Sequence, residues 1–491
     1  MSTALQSNPK TVAIIGGGIA GLSCAKALER DGGFAPTVFD TGRLRPGGRC
    51  SSRFPGDEPK DSDPDMQHHN YRYLNQVPID HAAQILTVPE GMPEFAKQVK
   101  EWEKGGVLKE FPVGSVCSIF NPYDRKTRKY DKTQVRVKPL QGKNRNNNGN
   151  SSLVKDSSSS PVAKHYYGVN GMGVIPQSMA KGIEVCQDVW VSPSGGVRYR
   201  GDSASKSQQP WQVLGSNKKE VLGNFDHLVV AHNGKCADRL MSRTPAKDLH
   251  WLLRVNFAPF VPKDGGKKMT LNSIYSLTFA LRGPSVLSEA VKRYESRFIS
   301  GFVKNHPSLR FLSWNSRKHR SEDGSEDDGV RSDVEVWTVL SSAKFGKQHK
   351  GPQEFLPTEL QDKVTGLLLE AIEESLLLPK GSLCGETDDT DSANQNPSAV
   401  LESRLQLWGA AVPVNVWKPD EDGPHGYLYD QEHAVGACGD WLLDASIAGA
   451  WESGRRLAEH MMTTEPSTAG LSGKFEASQA VDRAGIGALQ Q

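Results

Sequence analysis

The feature that most limits how this chain can fold is a group of glycines near its start, placed between two apolar segments of different periodicity. Residues 11–15 are apolar and rich in β-branched side chains, which predicts a buried strand. Residues 19–30 repeat apolar side chains at helical spacing and end at glycines, which predicts a helix. The turn between them has the pattern G-x-G-x-x-G, and the succession of strand, turn and helix predicts the start of an α/β fold.

Each glycine of the turn has a physical role. Gly16 permits the tight turn, Gly18 lets backbone N–H groups approach a phosphate, and Gly21 lets the helix pack closely on its strand. The first N–H groups of the helix, at Ile19 and Ala20, carry partial positive charge. The turn is therefore predicted to bind the pyrophosphate of a dinucleotide.

An acidic residue follows the second predicted strand, residues 37–39. Asp40 lies 24 residues after Gly16, where a carboxylate accepts hydrogen bonds from an adenosine ribose, and Thr41 follows it as a further candidate contact. A 2′-phosphate would be repelled by this carboxylate. The motif therefore favours FAD or NAD over NADP.

Two further motifs favour FAD. The first is the pair Gly47 and Gly48 followed by Arg49, which allows a second close backbone approach beside a positive charge, and Arg43 precedes it. The second is a predicted strand that ends at Gly439 and Asp440, where an acid can bind the ribityl hydroxyls of a flavin.

A helix is predicted to begin near Ser446. Its N-terminus, with Ala445 and Ile447, can face the pyrimidine edge of a flavin, where negative charge collects on reduction. In the competing interpretation, Asp440 and Asp444 only cap this helix.

The motifs resemble those of the renalase-like branch of the flavin-containing amine oxidoreductases. The resemblance extends over most of residues 11–461 and includes residues 80–84, 171–172 and 439–443. It implies a discontinuous Rossmann-type FAD-binding domain with an inserted α+β substrate domain around an antiparallel or mixed sheet. Residues 189–191 are predicted to form a strand, and the resemblance implies that Val191 in this strand contacts adenine through its backbone. His81 is the candidate catalytic residue, with a structural histidine as an equal alternative.

The implied activity is transfer of a hydride from a small reduced substrate to the flavin N5 atom, with reoxidation by O2 to give H2O2. The resemblance suggests a dihydronicotinamide or an amine as substrate. A flavin-dependent dehydrogenase without oxidase activity and a noncatalytic flavin-bound interaction module stay open. The chain departs from the family at Ala82 and at residues 231–235. His232 and Lys235 could reshape the substrate pocket, supply an acid or base, or belong only to a surface turn.

The segments are assigned to domains as follows. The FAD-binding domain takes residues 1–90, 165–245 and 401–465, and the substrate domain takes 91–140 and 246–400. Residues 141–164, 317–333 and 385–398 are polar and are expected to be disordered inserts, and 466–491 are expected to be a flexible tail.

Composition excludes several other classes of protein. Lys and Arg number 59 against 57 Asp and Glu, a balance of +2 that gives no basic surface for nucleic acid. No apolar run is long enough to span a membrane, and residues 1–10 lack the features of a secretory signal. Seven scattered cysteines without a C-x-x-C pair argue against disulfides and zinc. We therefore expect a cytoplasmic protein with no metal site, and the oligomeric state stays open.

Overall fold

The structure, a computed structural model, describes residues 8–57, 71–124, 129–140, 164–201, 209–262, 265–320, 333–353, 355–384, 400–420, 426–463 and 466–478. Within them the helices are α1 (Ile19–Asp31), α2 (Pro93–Lys104), α3 (Val174–Ala180), α4 (Lys235–Met241), α5 (Lys247–Leu252), α6 (Val286–Tyr294), α7 (Asn315–Lys318), α8 (Ala343–Gln348), α9 (Thr358–Leu376) and α10 (Ile447–Met462). Short 3-10 helices cover Gly48–Cys50, Leu74–Gln76 and Asp440–Leu442.

The strands of the described residues are β1 (Lys10–Ile15), β2 (Phe34–Phe39), β3 (Ser52–Arg53), β4 (Ile79–Asp80), β5 (Leu86–Thr87), β6 (Leu108–Glu110), β7 (Val116–Phe120), β8 (Tyr123–Asp124), β9 (Lys129–Tyr130), β10 (Arg136–Pro139), β11 (His165–Gly168), β12 (Glu184–Cys186), β13 (Val197–Tyr199), β14 (Trp211–Leu214), β15 (Val221–Phe225), β16 (His227–Val230), β17 (Val255–Phe257), β18 (Met269–Arg282), β19 (Ser300–Val303), β20 (Leu309–Trp314), β21 (Val334–Ser341), β22 (Val400–Pro413), β23 (Asn415–Pro419), β24 (Tyr427–Asp430), β25 (Val435–Cys438) and β26 (Gly473–Ala477).

The first large sheet has the strand order β12-β2-β1-β16-β25-β24. All its pairs are parallel except β24 with β25, so the sheet is of the doubly wound α/β type. Alternate residues of β1 pack on opposite faces. Val12 and Ile14 lie in the core with α1 and α10, whereas Ala13 and Ile15 pack with the small sheet β13-β14-β15 and helices α4 and α5. Burial on both faces explains why residues 12–15 of β1 are all apolar.

The second large sheet is mixed and antiparallel in most of its pairs, with the order β10-β7-β19-β20-β21-β18-β17 and β22 paired to β18. One face packs against α6 and α9. The opposite face turns toward the first sheet and presents Ile274, Leu340 and Trp408 to a cavity between the two sheets. This arrangement confirms the predicted Rossmann-type domain with an inserted α+β region around a mixed sheet.

A strand at residues 189–191 was expected from their apolar character, but β12 (Glu184–Cys186) occupies that place in the sheet. Asp188 adopts a positive φ of 56°, which turns the chain after β12. The N–H of Val189 then donates to the carbonyl of Asp40 at 3.0 Å, and Val191 is buried. The segment therefore follows the carboxyl end of β2 as an irregular stretch.

The expectation of a disordered insert at residues 317–333 is wrong at its start. Arg317 and Lys318 belong to α7, and the side chain of Lys318 is fully buried in an ion pair with Asp80. Residues 321–332 lie outside the described residues, as do 141–163 and 385–398 of the other two predicted inserts.

The expectation of a flexible tail at residues 466–491 is also wrong at its start. β26 pairs antiparallel with β23, which places Phe475 opposite Trp417 in the core. Residues 479–491 lie outside the described part of the chain.

In addition, β22 belongs to the second sheet, so that sheet extends beyond residue 400 into the segment assigned to the first domain. In the described residues, no helix combines the length and apolar character that crossing a membrane requires.

Candidate functional site

The candidate site is a cavity of about 640 Å³ between the two large sheets. Its volume lies within the range of roughly 300–1,000 Å³ that is usual for small-molecule and cofactor pockets. Its walls combine segments from both ends of the described chain, the glycine turn before α1 and the segment that leads into α10. The carboxyl ends of β1, β2, β16 and β25 meet there, which is where ligands bind in open α/β sheets.

The glycine turn leaves open space toward this cavity. Gly16 has a positive φ of 116°, so its conformation favours glycine. A Cβ added at Gly18 would meet no atom within 4 Å, whereas a Cβ at Gly21 would lie 2.0 Å from the carbonyl oxygen of Gly16. Gly18 thus faces open space, and Gly21 permits the close contact between helix and turn. The N-terminus of α1 has no side-chain cap, so its first N–H groups are free for a ligand.

Asp40 is buried at the end of β2 and is held by the glycine turn. Its two carboxylate oxygens accept hydrogen bonds from the N–H groups of Gly17, at 2.8 Å, and Gly42, at 2.7 Å. Burial raises the pKa of Asp40, and these two hydrogen bonds oppose the rise. Each oxygen keeps a further lone pair that can accept a hydrogen bond from a ligand hydroxyl.

Arg49 connects the Gly47–Gly48 turn with Asp440 in the segment before α10. Its guanidinium donates two hydrogen bonds to the carboxylate of Asp440, at 2.7 and 2.8 Å, and a third to the carbonyl of Ala411 at 2.7 Å. Burial lowers the pKa of Arg49, but the adjacent Asp440 carboxylate outweighs this effect and the pKa is raised. Arg49 is therefore charged, and Asp440 is fixed beside the Gly47–Gly48 turn.

The segment between β25 and α10 completes this wall. Ser446 is the N-cap of α10, because its hydroxyl accepts from the N–H of Gly449 at 3.0 Å. The hydroxyl of Ser446 also donates to Asp444. Neither Asp440 nor Asp444 is the N-cap, so the interpretation of these acids as helix caps does not hold.

Most of the predicted contacts lie together on the cavity wall: Gly16, Gly18, Ile19, Ala20, Asp40, Thr41, Gly47, Gly48, Arg49, Val191, Gly439, Asp440, Ala445, Ser446 and Ile447. Three predicted residues do not line it. Gly21 packs inside the turn, Arg43 is an exposed side chain whose Nε lies 3.9 Å from Asp188, and His81 lies behind the wall.

His81 contacts the wall through its backbone. Its carbonyl accepts a hydrogen bond from the indole N–H of Trp408 at 3.0 Å, and Trp408 and Ala82 line the cavity. Burial, with a contribution from Arg404, lowers the pKa of His81 to about 3, so its ring is neutral near pH 7. A direct catalytic role for His81 stays a prediction.

Sequence reasoning missed several residues of the site. Lys350, Phe257 and Gln353 line the cavity, and no local motif marks any of them. The turn at residues 231–235, which the sequence left open between a pocket and a surface role, also lines it, and burial lowers the pKa of His232. Of the described His, Cys, Asp and Glu residues, no three form a group that could hold a metal ion.

Comparison with known proteins agrees with this architecture. A family model described as an NAD(P)-binding Rossmann-like domain matches residues 14–102. A protein from Exiguobacterium sp. 255-15 that is provisionally assigned as a protoporphyrinogen oxidase has a similar structure, with 10% identity and a TM-score of 0.50 over 94% of this chain and 99% of that one. A reduced UDP-galactopyranose mutase is similar at 11% identity and a TM-score of 0.51, over 93% of this chain and 95% of that one. Residues 14–102 therefore belong to an NAD(P)-binding Rossmann-like domain, and the chain shares its overall fold with these two proteins.

Proposed function

We propose that this protein is an FAD-dependent oxidoreductase that takes a hydride from a small reduced substrate. The observation that carries the proposal is the convergence of the glycine turn, Asp40, the Gly47–Arg49 turn and Asp440 around one cavity between the two sheets. The domain match and the fold likeness support FAD as the cofactor.

The wall of the cavity fits the pyrophosphate of FAD. Gly18 and Gly47 lie side by side in a parallel bridge, and a Cβ at Gly48 would find its nearest neighbour at 3.8 Å. Two glycine turns thus lie next to the uncapped N-terminus of α1. Such backbone N–H groups bind phosphate oxygens well, and Arg49 supplies a positive charge beside them.

The two acids of the wall fit the hydroxyl groups of the cofactor. Asp40 would accept from the adenosine ribose and Asp440 from the ribityl chain, because each carboxylate has acceptor capacity beyond its protein hydrogen bonds. The indole N–H of Trp441, also on this wall, is buried without an acceptor among the described residues. A ligand oxygen would satisfy it, since buried donors without partners are costly.

FAD, when bound, supplies the ring that accepts the hydride. The protein holds and orients both partners and excludes water with the apolar side chains of Ile274, Leu340 and Trp408. The N-terminus of α10 lies on the same wall and stabilises negative charge on a ligand. No nucleophile is needed for this chemistry.

We further propose that O2 is the electron acceptor and is reduced to H2O2, and that the protein belongs to the renalase-like branch. The motifs at Gly16–Gly21, Gly47–Arg49 and Gly439–Asp440 support that placement. The substrate is proposed to be a dihydronicotinamide or another small reduced molecule, with amines as the alternative class.

Absorbance of the purified protein tests the proposal. We expect a yellow protein that retains FAD through gel filtration, bleaches anaerobically with a substrate and regains its colour in air with release of peroxide. Bleaching without reoxidation by air would favour a dehydrogenase, and colour that no dihydronicotinamide or amine bleaches would favour a noncatalytic flavin-bound module. A protein that takes up no added FAD would contradict the proposal.

A further inference from the structure

We infer that the substrate of the proposed oxidoreductase carries a negative charge, a carboxylate or a phosphate, which Lys235 and Lys350 bind beside the ring of Phe257. The inference rests on the proposed function and names the class of substrate that the same cavity admits. It is carried by the placement of these three side chains on one part of the wall.

The two lysines come from segments that are far apart in the sequence. Lys235 begins α4, directly after the turn that follows β16 of the first sheet, and Lys350 follows α8, which packs on the second sheet. The ammonium nitrogens of Lys235 and Lys350 lie 5.7 and 5.1 Å from the centroid of the Phe257 ring. All three residues line the cavity. Both cations thus lie within 6 Å of the centroid of one aromatic ring.

Within the described residues, neither ammonium group is neutralised by an acid. Lys235 and Lys350 form no ion pair with, and no hydrogen bond to, a carboxylate of these residues. The two carboxylates of the cavity wall belong to Asp40 and Asp440. Asp40 is held by backbone N–H groups, and Asp440 by Arg49. The described residues therefore leave two positive charges on this part of the wall.

An anionic ligand with a flat apolar part matches this wall. Two like charges near one ring repel each other, and an anion that contacts both offsets the repulsion and gains two favourable interactions. The apolar part of the ligand can pack on Phe257. Gln353 adds a neutral donor, since its carboxamide oxygen already accepts from the N–H of Gly409 and its NH2 group has no described acceptor. A cationic amine would be repelled by the same two charges.

The residues assigned to the pyrophosphate of the cofactor are different residues of the same cavity wall. The pyrophosphate is assigned to the glycine turns, the start of α1 and Arg49, all from residues 16–49. Lys350 comes from the second sheet's side of the cavity, near Gln353 and Gly409. The lysines are therefore assigned to the substrate, and an effect of their substitution on FAD affinity is the observation that would reverse this assignment.

Binding of matched aromatic probes to the FAD-loaded protein tests the inference. Benzoate and phenyl phosphate carry the two candidate anions, benzyl alcohol is neutral and benzylamine is cationic, and their affinities are measured by isothermal titration calorimetry. We expect at least one anion to bind, with the tighter one identifying carboxylate or phosphate, and benzylamine to bind at least tenfold more weakly. Raising the ionic strength should weaken binding of the anion only.

Four variants test whether Lys235 and Lys350 are the residues that bind the anion. Lys235→Gln and Lys350→Gln are each expected to weaken binding of the preferred anion about fivefold, whereas Lys350→Arg, which keeps the charge, should keep most of the affinity. Lys347→Gln removes an exposed lysine three residues away that does not line the cavity, and it should change nothing. The FAD content of every variant is measured first from its absorbance.

The outcomes separate this inference from the proposed function. FAD-loaded protein that binds none of the anions, binds benzylamine as tightly, or binds the anion unchanged in both glutamine variants overturns the inference and leaves the FAD assignment intact. A loss of FAD affinity in the glutamine variants also overturns it, because the lysines would then serve the cofactor. Failure of the unaltered protein to take up FAD contradicts the proposed function itself.

Discussion

The guanidinium of Arg49 forms two hydrogen bonds to the carboxylate of Asp440, a residue 391 positions later in the chain. The pair fixes the Gly47–Arg49 turn against the segment between β25 and α10. Both partners line the cavity, so the pair positions the two halves of the proposed cofactor site relative to each other.

Removing Arg49 should therefore affect both stability and cofactor binding. Arg49→Met leaves the carboxylate of Asp440 buried without its cation, which should lower the free energy of unfolding by about 2 kcal/mol and weaken FAD binding at least tenfold. Arg45→Met is the matched control, because Arg45 forms a similar two-hydrogen-bond pair with Asp57 away from the cavity. Denaturant unfolding and FAD titration measure the two effects, and equal FAD affinities in both variants would contradict the assignment of Arg49.

Two glycines of the same turn should respond differently to alanine. Gly18→Ala adds a methyl group in open space at a φ of −78°, so stability should change by less than about 0.5 kcal/mol while FAD affinity falls about tenfold. Gly21→Ala places a Cβ against the Gly16 carbonyl and should lower the free energy of unfolding by about 1–3 kcal/mol. The same unfolding and titration experiments apply. A Gly18→Ala variant with unchanged FAD affinity would argue against a ligand at the turn.

The buried pair of Asp80 and Lys318 should be the most sensitive ion pair outside the cavity wall. Its atoms are 2.7 Å apart and both side chains are fully buried. Lys318→Met leaves the Asp80 carboxylate without a cation and should lower the free energy of unfolding by about 3–5 kcal/mol, and adding Asp80→Asn should recover part of the loss. Lys97→Met, which removes the exposed Lys97–Glu94 pair, should change stability by less than about 0.5 kcal/mol.

Acid should destabilise the protein through buried neutral histidines. Burial lowers the pKa of His81 and of His319 to about 3, below the ordinary value of 6.5. Between pH 6.5 and 3 the unfolded chain binds protons at these positions and the folded chain does not. The free energy of unfolding should fall with decreasing pH in this window, by about 1.4 kcal/mol per pH unit for each histidine.

Urea unfolding at pH 7.5, 5.5 and 4.5 measures this slope. His81→Asn and His319→Asn should each make the dependence on pH shallower, while changing stability less at pH 4.5 than at pH 7.5. An unchanged slope in both variants would show that these rings are protonated in the folded protein.

The first half of the candidate site could be predicted because it is encoded locally. A strand, a glycine turn, a helix and an acid at the end of the next strand follow one another within residues 10–40, and short-range geometry determines how they meet. The segment at Gly439 and Asp440 was assigned to the same site because a predicted strand ends there in an acid, and the fold places it on the same cavity.

The remainder depends on contacts between distant segments. Lys318 lies in a polar run that looks solvent-exposed, and only the contact with Asp80, 238 positions earlier, explains its burial. Lys235 and Phe257 meet only because the two sheets pack together. The strand β26 did leave a signal, since Lys474, Phe475 and Glu476 alternate polar and apolar side chains, as expected for a half-buried strand.

The strand order of the first sheet determines when its strands can pair during biosynthesis. β1, β2 and β16 are made early, but β16 receives its outer neighbour β25 only after more than two hundred further residues. Until β25 has been made, the nascent chain exposes an apolar strand with an unpaired edge. Such an edge is prone to aggregation and is recognised by chaperones. With Asp440 assigned to the cofactor as proposed, the FAD site is complete only after this late segment has been made, and we expect FAD to bind after translation rather than during it.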